Sequence, residues 1–132
     1  ARLTFDTGAT DSTTEAETAL LSGHGVCQDY AHIFVSVARA TGIPARYVSG
    51  YLMIPGVEEQ TASHAWAETY ISGLGWVGFD PANLMCPTER YVRLATGLDA
   101  GTAAPIRGTR KGGENETLDV IVEVQQQGAQ QQ

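Results

Sequence analysis

At 132 residues the chain is long enough for one domain, and with 42% hydrophobic residues it can bury a real core. Its formal net charge is −7, with a single lysine (Lys111) and seven scattered arginines. That balance excludes nonspecific nucleic-acid and anionic-membrane binding as expected roles, and no apolar run approaches the ~20 residues of a bilayer span. The start, Ala1-Arg2-Leu3-Thr4-Phe5, lacks Met and has no signal-peptide pattern, so a processed or excised fragment is expected. Cys27 and Cys86 cannot form a disulfide framework. Two free thiols in a reducing, cytoplasmic compartment are the expectation, with a single Cys27–Cys86 disulfide as the rival.

Residues 1–10 read as an extended lead-in with a turn at Gly8. Ser12-Thr13-Thr14-Glu15 has the form of a capping box, which predicts a short helix from about Ser12, ended by Gly23. A second helix is expected from Cys27 to Thr41. Its apolar residues (Ile33, Phe34, Val35, Val37 and Ala38 among them) lie nearly all round it, the pattern of a buried helix. Thr41-Gly42-Ile43-Pro44 stops it. Strands are then expected at 45–54, 63–71, 76–80 and 90–96, and a last one at 117–124, where apolar residues alternate. The Gln-rich end, 125–132, reads as a disordered tail.

Cys27, at the start of the buried helix, sits where unpaired N–H groups and the helix dipole favour a thiolate. His64 opens one strand, beside Trp66, and Asp80 closes the next. Nucleophile, base and orienting acid are the roles these residue types suggest. For His64 and Asp80 to share a face, paired positions on their antiparallel strands must sum to an even number. A three-residue loop, Ser72-Gly73-Leu74 closed by Ile71 and Gly75, meets that condition. It puts Asp80 opposite Trp66 and diagonal to His64, roughly 7 Å away between backbones. Preceding Pro81, the Asp80 carboxylate is expected at the sheet edge rather than deep inside. Asp29 is expected to cap the helix start, His24 to lie in a loop and His32 to be structural. Tyr47 and Tyr51 share a strand face and either line the cleft or pack in the core. A zinc site built from Cys27, His32, His64 and Cys86 lacks any close ligand pair, so no metal and no cofactor are expected.

These stretches resemble the transglutaminase-like superfamily, and within it the bacterial cysteine-protease-type members. The resemblance rests on Gly25 to His32, Gly42 to Tyr51, Ser63 to Glu68, Gly75 to Asn83 and Cys86 to Arg93, and covers about residues 5–124. It implies an α+β, papain-like fold, with N-terminal helices packed on an antiparallel sheet and one buried helix carrying the Cys. It implies acyl transfer from an amide through a thioester, with Cys27, His64 and Asp80 matching the family triad. Hydrolysis of a peptide or protein substrate is the favoured outcome. Transamidation and a catalytically silent peptide-binding module are the alternatives. The Cys27 N–H is expected in the oxyanion hole, with Gln28 or Trp66 as its second donor. Members of this type usually carry an additional N-terminal region, so this chain is expected to be the core domain alone.

Overall fold

The computed structural model describes residues 3–8, 10, 14–56, 59–60, 63–109, 111–113, 115 and 117–124. In chain order these form β1 (Thr4–Phe5), α1 (Ala16–Ser22), β2 (His24–Gly25), α2 (Cys27–Ala40), β3 (Ala45–Leu52), β4 (Glu59–Gln60), β5 (His64–Ile71), β6 (Gly75–Phe79), β7 (Tyr91–Gly97) and β8 (Val122–Glu123). Four strands make one antiparallel sheet in the order β6-β5-β3-β7, and α2 packs on one of its faces. This is the α+β arrangement expected from the sequence.

The helix approaches closely because the contact is made largely of alanines. Ala31, Tyr47, Ala65 and Ala103 form one buried cluster against which Cys27 packs, and Val35, Ala38, Ala45 and Ala67 form the next. The sheet and α1 leave part of α2 uncovered among the described residues. Val37 is 58% exposed, so the apolar residues all round α2 overstate its burial.

Alternation along β5 sends Ala65 and Ala67 to α2, and His64, Trp66 and Glu68 to the opposite face. That face is closed by the chain between β6 and β7, where Pro87 lies against Gly78 and the ring of Tyr91 meets Trp66 edge-on at 5.3 Å. Glu68, buried on this face, accepts from Arg46, its partner in register on β3, and from Arg93 on β7. At Gly50 β7 bulges past β3. A Cβ there would stand 1.9 Å from the Val92 carbonyl oxygen and 2.8 Å from the Trp66 ring, so only glycine fits.

The hairpin carrying the register argument has the loop that argument requires. Ile71 pairs with Gly75 and Ala67 with Phe79, leaving Ser72-Gly73-Leu74 as the loop. Leu74 N–H closes the turn onto Ile71 at 3.0 Å, with Gly73 at φ 84°, a value glycine adopts without penalty. One further step in register puts Asp80 opposite Trp66.

Several expectations are corrected. The first helix begins at Ala16, with Glu15 extended at its N-cap (φ −73°, ψ 147°) and making no side-chain cap. Glu15 is therefore too early in the helix to serve as the far half of a capping box, and Ser12 and Thr13 lie outside the described residues. The strand from Ala45 ends at Leu52 rather than 54. The expected strand at 117–124 shrinks to Val122–Glu123, paired with β4. Leu118, at 70% exposed, and Ile121, at 83%, have no sheet to cover them. The Gln-rich end lies outside the described residues.

Candidate active site

The start of α2 and the start of β5 meet at one cleft, and the residue after β6 is bonded to the second of them. Val26 is extended (φ −105°, ψ 178°) and acts as the N-cap of α2. Its N–H donates to Asp29 Oδ2 at 2.8 Å, and Thr10 Oγ1 donates to the same oxygen. Asp29 is fully buried, and its Oδ1 has no partner among the described residues. It caps the helix as expected and presses so close to Gly25 that a Cβ there would lie 2.9 Å from its own. The N–H groups of Cys27 and Gln28 come next, at the open, positive end of the helix.

His64 Nε2 lies 2.6 Å from Asp80 Oδ2. Cys27 lines the same cleft as His64 and lies near enough to act on the charge of its ring, so the structure brings together all three residues singled out from the sequence. Burial alone would lower the imidazole pKa. The bond to Asp80 and the neighbouring Cys27 outweigh it and raise His64 to about 9. The ring is therefore an imidazolium at neutral pH, donating Nε2–H to the carboxylate.

Asp80 follows β6, an outer strand of the sheet, but it is buried there rather than open: it is 1% exposed. Pro81-Ala82-Asn83 wraps it, with the N–H groups of Ala82 and Asn83 donating to Oδ1 at 3.0 and 3.2 Å. Asn83 Nδ2 and Tyr91 Oη each donate to Oδ2 at 2.8 Å. Burial pushes its pKa up, but these donors and His64 overcome that and hold it at about 2. Tyr91 pays the converse: burial and the bond to the carboxylate push its phenol up to about 12. Asn83 and Tyr91 were not assigned roles from sequence. Asn83 had a local signal, an Asp-Pro-x-Asn turn that folds back on its first residue. Tyr91 lies eleven positions from Asp80 and had none.

The cleft at Cys27 has a volume of about 520 Å³. Phe5, Thr7, Gln28, Tyr47, Ser49, Ser63, His64 and Ala65 line it together with Cys27. Gln28 is thus at the cleft. Trp66 is not part of its lining. Its ring stacks on His64 at 6.1 Å, behind the imidazole, and is 2% exposed, so it shields the His64–Asp80 pair from water instead. Tyr47 faces the cleft, while Tyr51, beyond the bulge at Gly50, faces a separate groove with Val92 and Leu94. His32 has a structural position, accepting the Ala100 N–H at 3.0 Å and packing on Tyr47. His24 belongs to β2 rather than to a loop. Cys27 and Cys86 are both free, and Cys86 is exposed. Among the described residues no group of three or more His, Cys, Asp or Glu side chains is placed to hold a metal ion, and no helix is long and apolar enough to cross a membrane.

Comparison with known proteins bears on the family and the fold. A family model for the transglutaminase-like superfamily matches residues 1–81. An uncharacterised protein of Mycobacterium leprae is 38% identical over 128 residues, which is 93% of this chain and 45% of that protein. The protein-glutamine gamma-glutamyltransferase of Pseudomonas aeruginosa is 36% identical over 86 residues, 60% of this chain and 12% of its own. Among solved structures, a candidate cysteine protease from Cytophaga hutchinsonii superimposes with a TM-score of 0.68 at 38% identity, over 78% of this chain and 34% of that one. The chain spans less than half the length of these relatives.

Proposed function

We propose that this chain, which belongs to the transglutaminase-like superfamily, performs acyl transfer on peptide amides through a Cys27 thioester. The observation that carries the reading is the 2.6 Å contact of His64 Nε2 with the buried Asp80 carboxylate, on a ring that lines one cleft with Cys27. Cys27 is the nucleophile, His64 the acid and base, and Asp80 the residue that orients the ring and stabilises its charge. The catalytic unit spans residues 5–124.

The steps follow from these positions. The Cys27 thiolate attacks the amide carbon, and the carbonyl oxygen takes the negative charge. The N–H groups of Cys27 and Gln28, at the positive end of α2, donate to that oxyanion. The His64 imidazolium gives its proton to the departing amine as the C–N bond breaks, leaving the thioester. Neutral His64 then takes a proton from water as the water attacks, the thiolate is expelled, and a carboxylic acid is released. Asp80 remains a carboxylate throughout, held near pKa 2 by its donors.

Hydrolysis is placed ahead of transamidation because the solved structure that superimposes on this chain at 38% identity is a candidate cysteine protease. Transamidation uses the same steps, with a primary amine replacing water. Incubating the protein with peptide amides, with and without a primary amine, separates the two by product mass. Acid product under both conditions supports hydrolysis. Amine-bearing product dominating at millimolar amine supports transamidation. No product, with no thioester on Cys27, supports the silent binding module.

A further inference from the structure

Tyr47 lies in the middle of the sheet, where β3 is paired on both sides: with Ala67 on β5 and with Gly97 on β7. It is 3% exposed and belongs to the cluster of Ala31, Ala65 and Ala103 against which Cys27 packs. The His32 ring lies 4.8 Å from the Tyr47 ring and is itself held by the Ala100 N–H, so the phenol has little freedom to move. Tyr47 also lines the Cys27 cleft. Ser49, the next cleft residue of β3, is engaged elsewhere, its Oγ donating to the Ala103 carbonyl. The Tyr47 phenol, in contrast, makes no hydrogen bond with any described residue. A phenylalanine would fill the same space without the cost of desolvating a hydroxyl. Tyr47 therefore holds a rigidly placed donor beside the nucleophile, and packing alone gives it no purpose. Burial, and then the charges of Cys27 and Asp29, push the phenol well above its ordinary pKa, so it stays protonated throughout the range in which a thiolate attacks.

We propose that Tyr47 is a further catalytic residue of this cleft: its O–H donates a hydrogen bond to the acyl oxygen while the acyl group is attached to Cys27, as a third donor beside the Cys27 and Gln28 N–H groups. This rests on the acyl-transfer reading above and adds a residue to it. As the thiolate attacks, the C–S bond forms and the carbonyl π electrons move onto oxygen. The phenol hydrogen bond strengthens as that charge grows, and the proton stays on Tyr47. When the C–N bond breaks, the carbonyl re-forms and the bond weakens again. A donor fixed by packing before the substrate arrives needs no reorganisation at that moment. A reaction of Cys27 that makes no oxyanion gains nothing from it.

The test compares two reactions of the same thiol in Cys86→Ser protein, with and without Tyr47→Phe. Iodoacetamide loses iodide from a saturated carbon and forms no oxyanion, whereas 4-nitrophenyl acetate acylates through one. Tyr47→Phe is expected to slow acylation about tenfold or more and to change alkylation by less than about twofold. It should also raise the carbonyl stretching frequency of a cinnamoyl group placed on Cys27 from cinnamoyl imidazole, the signature of a lost hydrogen bond. Equal acylation in both proteins, an unmoved carbonyl stretch, or the two reactions slowed alike would overturn the proposal and leave the acyl-transfer reading standing. If the phenylalanine variant does not fold, Tyr47→Met repeats the comparison with the same criteria. A Tyr47-containing protein that is alkylated at Cys27 but never acylated there would overturn the acyl-transfer reading, and the role of Tyr47 with it.

Discussion

Replacing Asp80 with asparagine removes one negative charge while keeping the shape of the site. Oδ1 can still accept the Ala82 and Asn83 N–H groups, so the turn that wraps the side chain persists. At the other position an amide N–H₂ then faces donors that the carboxylate used to satisfy, and the imidazolium loses its anion. The raised His64 value, about 9 against an ordinary 6.5, amounts to about 3 kcal/mol in favour of the charged ring, and the Asp80 bond is its largest favourable cause. Without it burial is opposed by Cys27 alone, and the imidazole is expected to titrate well below its native value. At pH 7.5 the charged fraction then falls. Proton delivery to the leaving amine suffers accordingly, so kcat/KM at pH 7.5 drops at least tenfold. The direct assay is an NMR titration of the three histidine C2–H signals, with His64 assigned by its loss in His64→Gln. A native His64 midpoint near 6.5, or one near 9 that survives in Asp80→Asn, would refute the electrostatic account.

Other consequences are open to the same directness. The folded pKa of His64 is raised, so its contribution to stability is complete below pH 6.5 and is lost between 6.5 and about 9. That of Asp80 is lowered, so its contribution is complete above pH 3.8 and is lost as pH falls toward 2. Urea unfolding should therefore show greatest stability between about pH 4 and 6.5, and a maximum at pH 9 or above would contradict the pairing. In a Cys86→Ser background, His64→Ala should slow iodoacetamide labelling of Cys27 at least tenfold at pH 7.5, and an unchanged rate would remove His64 from the site. Tyr91→Phe takes one of five bonds from Asp80, and should cost about 1 kcal/mol of stability with a smaller loss of activity than Asp80→Asn. Gly50→Ala forces a Cβ into the Val92 carbonyl and should destabilise by 2 kcal/mol or more, read as a lower Tm, with wild-type stability counting against the packing described.

What the sequence revealed of this molecule was mostly local or periodic. The helix start at Cys27 and its stop at Gly42-Ile43-Pro44 are written in consecutive residues, and α2 spans Cys27–Ala40. The His64–Asp80 relation was legible because one loop length fixes the parity of a whole hairpin. What could not be read depends on partners brought from elsewhere. Asp80 looks like an edge residue until the chain beyond it folds back and buries it under Asn83 and Tyr91. Trp66 looks like a cleft residue until β3 and β7 reveal a slot for it over Gly50. The alternation at 117–124 is a strand pattern without a sheet edge beside it, so only Val122–Glu123 pair. Arg46 and Glu68 are 22 positions apart, and their ion pair follows only from the β3–β5 register.

The central claim is that Cys27 carries the acyl group, and mass spectrometry of the protein quenched during turnover with a peptide amide tests it directly. The account predicts a gain equal to the acyl fragment, mapped to the peptide that contains Cys27, discharged by water or by added amine, and absent in His64→Ala. An acyl group found on Cys86 instead, or product formed at full rate by Cys27→Ala, would contradict it.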